Sequence, residues 1–134
     1  MTDTDRQAVI VDGCRIPFLK SGTGYAHLMA CDLAAANIEN LLARVGLPGD
    51  EVDCVVLGHT VQNVRTSNLA RDAAIAAGLP QSTLAYSISA AGISSCLAIE
   101  EASRASSGGR RAWSLPAGRI ASPMRRSGFG KRRR

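Results

Sequence analysis

Aromatic side chains are scarce: one tryptophan, two tyrosines and two phenylalanines stand among 134 residues. The core must therefore be built from Ala, Val, Leu and Ile, whose small side chains favour close packing of helices on a sheet. Acidic residues stop altogether at Glu101. Histidine is confined to His27 and His59, with no metal-ligand constellation around either; a surface or hydrogen-bonding role fits both better than ligation. Cys14, Cys31, Cys54 and Cys96 lack Cys-x-x-Cys spacing, which argues against a zinc site and a disulfide framework and predicts reduced thiols, most of them buried. Gly22 and Gly24 precede a helix, but no Gly-x-Gly-x-x-Gly follows a strand there, so a dinucleotide site is not expected. No run approaches the roughly 20 apolar residues of a membrane span. The first residues, Met-Thr-Asp-Thr-Asp-Arg-Gln, are polar and acidic, unlike a secretory or transit leader, and predict a cytoplasmic protein.

The formal charge of +5 hides a break. Residues 1–104 hold seven Lys/Arg against eleven Asp/Glu, a net of −4, whereas residues 105–134 hold nine Lys/Arg and no acid. Hydrophobic periodicity ends with the acids. The chain accordingly divides into a folded part, 1–104, and a basic Gly/Arg/Ser-rich tail, 105–134, expected to be disordered from about residue 106. Nine positive charges attract nucleic acid or anionic lipid without specificity, and with only Trp113 and Phe129 to stack on bases no specific nucleic-acid platform is expected.

Strands and helices alternate along the first part. The branched run Ala8-Val-Ile-Val-Asp12 reads as a buried strand. A first helix, with Asp32 as its N-cap, carries Ala34, Ile38, Leu41, Leu42 and Val45 at helical spacing and stops at Gly46 and Pro48. The run 51–57 leads into a second strand, ending at Gly58. A polar connection then closes on the cap candidates Thr66 and Ser67, and an alanine-rich helix spans about 68–77 before Gly78-Leu-Pro80. The third strand is Leu84–Ile88, and a helix follows from Gly92 or Ile93 to about Arg104. Threefold alternation predicts an α/β fold, a parallel or mixed sheet with helices packed on it. The length is short for an α/β enzyme with both sheet faces covered, which predicts a partial domain. Uncovered apolar faces would then favour aggregation or a partner.

The most informative stretch is Leu84-Ala-Tyr-Ser-Ile-Ser-Ala-Ala-Gly-Ile-Ser-Ser-Cys-Leu-Ala-Ile-Glu-Glu-Ala102, a short strand running through small residues into an amphipathic helix. At such a turn the first helical residues offer free N–H groups and the positive end of the helix dipole, which lower a thiol pKa and stabilise an anion. The residue at the turn, Gly92, has no side chain.

Arg15-x-Pro-Phe, Asp32-Leu-Ala, Val52-Asp53 followed by Gly58, Thr66-Ser-Asn-Leu-Ala-Arg71, Ala77-Gly78-Leu-Pro80 and the strand-turn-helix at 84–99 occur in that order. Together they resemble the N-terminal part of thiolases, the acyl-CoA C-acyltransferases. The Ser-Gly-Thr-Gly-Tyr and Thr-Ser-Asn-Leu-Ala-Arg forms are most similar to thiolase subunits of the fatty-acid β-oxidation trifunctional complex. The resemblance covers about residues 8–104. It implies a layered α/β fold with a mixed sheet and dimerisation through the N-terminal half. It also implies transfer of an acyl group between coenzyme A thioesters, with the thioester as substrate and no other cofactor. In that chemistry a cysteine at the start of a buried helix takes the acyl group, because a thiolate is both a strong nucleophile and a good leaving group. A second cysteine and histidines, borne by family motifs that these 134 residues lack, handle protons and the oxyanion.

Aligned on the family pattern, Gly92 occupies the position of the nucleophilic cysteine. Cys96 is no substitute: one helical turn displaces a side chain by about 5–6 Å, while reacting atoms must come within roughly 3–3.5 Å, so Cys96 is read as a buried structural thiol. The resemblance further implies an apolar strand of Val and Ala soon after the third helix, where the chain instead reads Gly, Arg, Ser, Ala and Pro. A frame-shifted reading of a GC-rich gene from about residue 106 accounts for that composition. The expectation is a truncated thiolase-like acyltransferase, inactive alone, or alternatively a non-catalytic subunit that pairs with itself or with a full-length thiolase.

Overall fold

The structure, a computed structural model, describes residues 7–109 and 113–117. Its elements in chain order are helix α1 (Ala30–Val45), strand β1 (Cys54–Gly58), helix α2 (Leu69–Ala76), strand β2 (Leu84–Ile88), helix α3 (Ser94–Ser107) and strand β3 (Ser114–Ala117). Short 3-10 turns, Gly49–Glu51 and Ala91–Ile93, precede β1 and α3. The sheet order is β2-β1-β3 and all three strands are parallel. Cys54 stands opposite Leu84 on one side and Ser114 on the other.

Because β1 is central, every one of its residues is buried, and its alternating side chains feed two separate cores. Val55 and Leu57 join Ala34, Ile38, Leu42, Ala70, Ala73 and Ala74 beneath α1 and α2. Cys54 and Val56 face Ala98 of α3 on the opposite side. The crossover from β1 to β2 and the return from β2 past β1 to β3 run in opposite directions across the sheet, so right-handed connections place α2 and α3 on opposite faces. The result is a three-layer α/β arrangement.

The alanine-rich inner faces let α1 and α2 approach closely over the sheet, as the scarcity of aromatics requires. Gly46 and Gly78 end the two helices in the left-handed region, with φ of 66° and 77°. Leu47 and Leu79 then donate back to the carbonyls of Leu42 and Ala74, satisfying the last-turn acceptors. Caps fall elsewhere than the sequence suggests. The N-cap of α1 is Met29, and Asp32 sits three residues inside, accepting the Met29 N–H at 2.7 Å. For α2 the cap is Asn68, not Thr66 or Ser67; its side-chain oxygen accepts the Arg71 N–H while its amide donates to Ala85 in β2.

Residues 8–12 form no strand. Val9 and Ile10 are 77% and 85% exposed. Both sides of β1 are taken by β2 and β3, so the apolar run has no ladder partner there and lies beside α1, where Asp12 pairs with Arg44 at 2.8 Å. In the part of the chain expected to be disordered, α3 continues to Ser107 and Ser114–Ala117 pair with β1. The rest of that expectation falls on 110–112 and 118–134, outside the described residues. Among the described residues no helix is long and apolar enough to cross a membrane.

Candidate active-site turn

Strand β2 ends at Ile88, whose carbonyl accepts the His59 N–H at 2.9 Å, so the ends of β1 and β2 stay in step as the chain leaves the sheet. The backbone then turns through Ala90 and the 3-10 residues Ala91–Ile93 into α3. Ala91 adopts φ of 47°, the one non-glycine positive φ among the described residues. This region is disfavoured for a residue with a Cβ and is retained where its surroundings over-determine it.

Those surroundings are the end of β1. A Cβ on Gly58 would lie 2.5 Å from the carbonyl carbon of Ser94 and 2.7 Å from the Ser95 nitrogen. Glycine is thus what allows the first turn of α3 to sit against the strand. Gly58→Ala is expected to lower unfolding free energy by about 3 kcal/mol, the upper end for overpacking because the obstructing atoms are backbone. Urea denaturation of both chains checks this.

Gly92 itself is exposed, and a Cβ built on it meets no heavy atom within 4 Å beyond its two chain neighbours. Its φ lies outside the left-handed region, so a side chain fits without strain. The position predicted for a nucleophile is therefore at the head of a fourteen-residue helix and open to solvent. The helix's positive end would favour a thiolate there.

Cys96 is exposed, not buried as expected. The inner stripe of α3 is Ser94, Ala98 and Ala102, which turns Cys96 to solvent. Only Cys54 is fully buried; Cys14 and Cys31 are half-buried, and none of the four forms a disulfide. Burial pushes the Cys31 thiol up, with the Asp72 and Asp32 carboxylates adding to the shift. Cys14 is also raised, mainly by burial. Iodoacetamide at pH 8 should label Cys96 first, Cys14 and Cys31 more slowly and Cys54 last; mass mapping over time reads the order.

His27 is exposed, whereas His59 is 7% exposed and buried, not at the surface. With Met29, Cys31, Thr66 and Leu69 it lines a cavity of about 20 Å³, room for one water.

Ser94 carries no motif by itself, and Gly58 enters the sequence reading only as a strand end and part of a family motif. The available signal was the spacing Ser94, Ala98, Ala102, which places a serine on a buried stripe.

A parallel sheet with helices on both faces, whose edge strand runs through a tight turn into α3, defines the class, a three-layer α/β fold. The family described as "Thiolase, N-terminal domain" matches residues 8–118, and the chain belongs to the thiolase family. It is 49% identical over 90 residues to the mitochondrial trifunctional enzyme subunit beta of Bos taurus, a match covering 67% of this chain and 19% of that protein. The chain thus spans about a fifth of the length of the curated relatives it matches. The crystal structure of the Bacillus anthracis acetyl-CoA acetyltransferase superposes with a TM-score of 0.79 at 26% identity, covering 99% of this chain and 35% of that one. The Acat5 thiolase of Ascaris suum, solved in complex with coenzyme A, superposes with a TM-score of 0.66 at 25% identity over 69% of this chain and 24% of its own.

Proposed function

We propose that residues 1–104 are part of a thiolase-type acyltransferase unit of fatty-acid β-oxidation, acting on coenzyme A thioesters, in which the nucleophile position is held by Gly92. The observation that carries this reading is the turn: it leads from β2 into α3, is open at residue 92 and carries no thiol there. The coenzyme A complex of the Ascaris suum thiolase supports a coenzyme A thioester as the ligand class. The 134-residue polypeptide alone does not turn over 3-ketoacyl-CoA. A thiolysis assay with 3-ketoacyl-CoA and coenzyme A tests this, and turnover above the buffer rate overturns it.

A second reading, a non-catalytic subunit, draws on the exposed apolar residues. Val9, Ile10, Val11 and Phe18 are all strongly exposed, and β2 lies at the edge of the sheet. A second copy or a full-length thiolase is the partner that such a unit would take. Co-purification of the tagged chain with a full-length thiolase supports this reading, and a monodisperse monomer that ignores the thiolase refutes it. A cytoplasmic compartment is proposed; the trifunctional enzyme relative bears a mitochondrial name, and cell fractionation distinguishes the two. Residues 105–134 are read as a segment whose composition comes from a shifted reading frame.

A further inference from the structure

The Ser94 side chain is 1% exposed, yet its hydroxyl meets three backbone groups. The Ala90 N–H donates to Oγ at 2.8 Å, and the single hydroxyl proton faces the carbonyls of Ala91 at 2.8 Å and His59 at 2.9 Å. Thr60 adds an outer tie, its hydroxyl donating to the same Ala91 carbonyl at 3.2 Å. These groups bracket residue 92 on both sides. They also belong to two chain segments, the turn itself and the residues following β1, which Gly58 allows to touch.

From this we infer that Ser94 is the positioning residue of the nucleophile turn. Its hydroxyl locks Ala90 and Ala91 against His59, fixes the left-handed Ala91 and so aims position 92 from the head of α3 toward solvent. The inference rests on the reading of Gly92 as the nucleophile position and adds what holds that position in place. A buried serine could serve packing alone. Alanine would fill nearly the same volume, however, and would leave the Ala90 N–H and the two carbonyls without their shared partner. The loss would fall on the turn more than on the core.

The ionisable groups on elements packed against the turn are His59 after β1, Cys54 and Tyr86 in the strands, and Cys96, Glu100, Glu101 and Arg104 on α3. None comes within 4 Å of a Cβ at residue 92, so a thiol placed there reports mainly the helix terminus.

The test introduces a reporter, Gly92→Cys, into the full 134-residue chain carrying Cys96→Ser, and follows alkylation by iodoacetamide against pH with mass mapping of residue 92. A pKa about one unit below the free thiol raises the thiolate fraction roughly tenfold at pH 7 but lowers its intrinsic nucleophilicity, leaving about a threefold faster reaction than in the same chain in urea. Adding Ser94→Ala should remove that threefold excess and move the rate midpoint up in pH, with helix content by circular dichroism unchanged. An unmoved midpoint in the folded Ser94→Ala chain overturns the positioning role. A midpoint already equal to that in urea with Ser94 intact overturns instead the reading of position 92. If Ser94→Ala does not fold, hydrogen exchange on the unsubstituted chain decides: the Ala90 amide exchanges at least about tenfold slower than in urea if Ser94 holds it, and as fast as in urea if it does not.

Discussion

Restoring the missing thiol by Gly92→Cys leaves the 134-residue polypeptide without measurable thiolysis of 3-ketoacyl-CoA. The substitution is sterically free, since nothing beyond the two chain neighbours lies within 4 Å of the new Cβ, and the helix terminus favours the thiolate. A nucleophile alone is still far from a catalyst. Each acyl transfer needs a proton moved to or from coenzyme A sulfur and donors for the oxyanion, contributions of roughly 10²–10⁴-fold and 10²–10³-fold. Among the described residues no heavy atom beyond the two chain neighbours stands within 4 Å of a Cβ at 92, and His59 is not among those near it. The imidazole of His59 lines the cavity beside Met29 and Cys31. Gly92→Cys should therefore alkylate readily and accept acyl groups no faster than a free thiol of the same pKa. Turnover well above that rate would show that the polypeptide supplies its own acid and base, and would overturn the reading of an incomplete site.

What was legible in the sequence depended on how local the cause was. Strand β2 falls on Leu84–Ile88, as the apolar run before a small-residue turn requires. The ends of α1 and α2 follow from Gly46 and Gly78. Capping was less legible because several residues near each start can cap: Asp32 serves from inside the helix, and Asn68 is selected over Thr66 and Ser67 because it also reaches Ala85 in β2. The run at 8–12 has the composition of a buried strand, but composition cannot say whether a ladder position is open; here β3 occupies the place beside β1. That Gly92 lies in the turn into α3 was readable from the strand-to-helix pattern. The hydroxyl clamp was not, since it joins Ser94 to His59 across 35 residues, and only the folded register brings them together.

Strand β3 should become more stable when its residues are changed toward those that the neighbouring reading frame would encode. Its place beside the fully buried β1 calls for a continuous apolar strand, yet it reads Ser-Leu-Pro-Ala. The Ser114 hydroxyl is buried with no hydrogen-bond partner, and Pro116 stands opposite Val56 without an N–H to offer. The codons of Ala112-Trp113-Ser114-Leu115-Pro116-Ala117-Gly118 can be read from the third base of each. Tryptophan has one codon, TGG, so its last base followed by TC of a serine codon gives GTC, valine. With G in the other third positions and TTG for leucine, the same frame reads Val-Val-Val-Ala-Gly-Gly, the Val and Ala strand that the family resemblance implies at this point. Ser114→Val with Pro116→Ala relieves the orphaned hydroxyl, worth about 1–3 kcal/mol, and should raise the thermal midpoint by roughly 4–8 °C per kcal/mol. Sequencing the gene from codon 104 onward checks the origin separately: a stop codon or a polar run in that frame refutes the shift. A midpoint unchanged or lowered by the paired substitution refutes the strain assigned to β3.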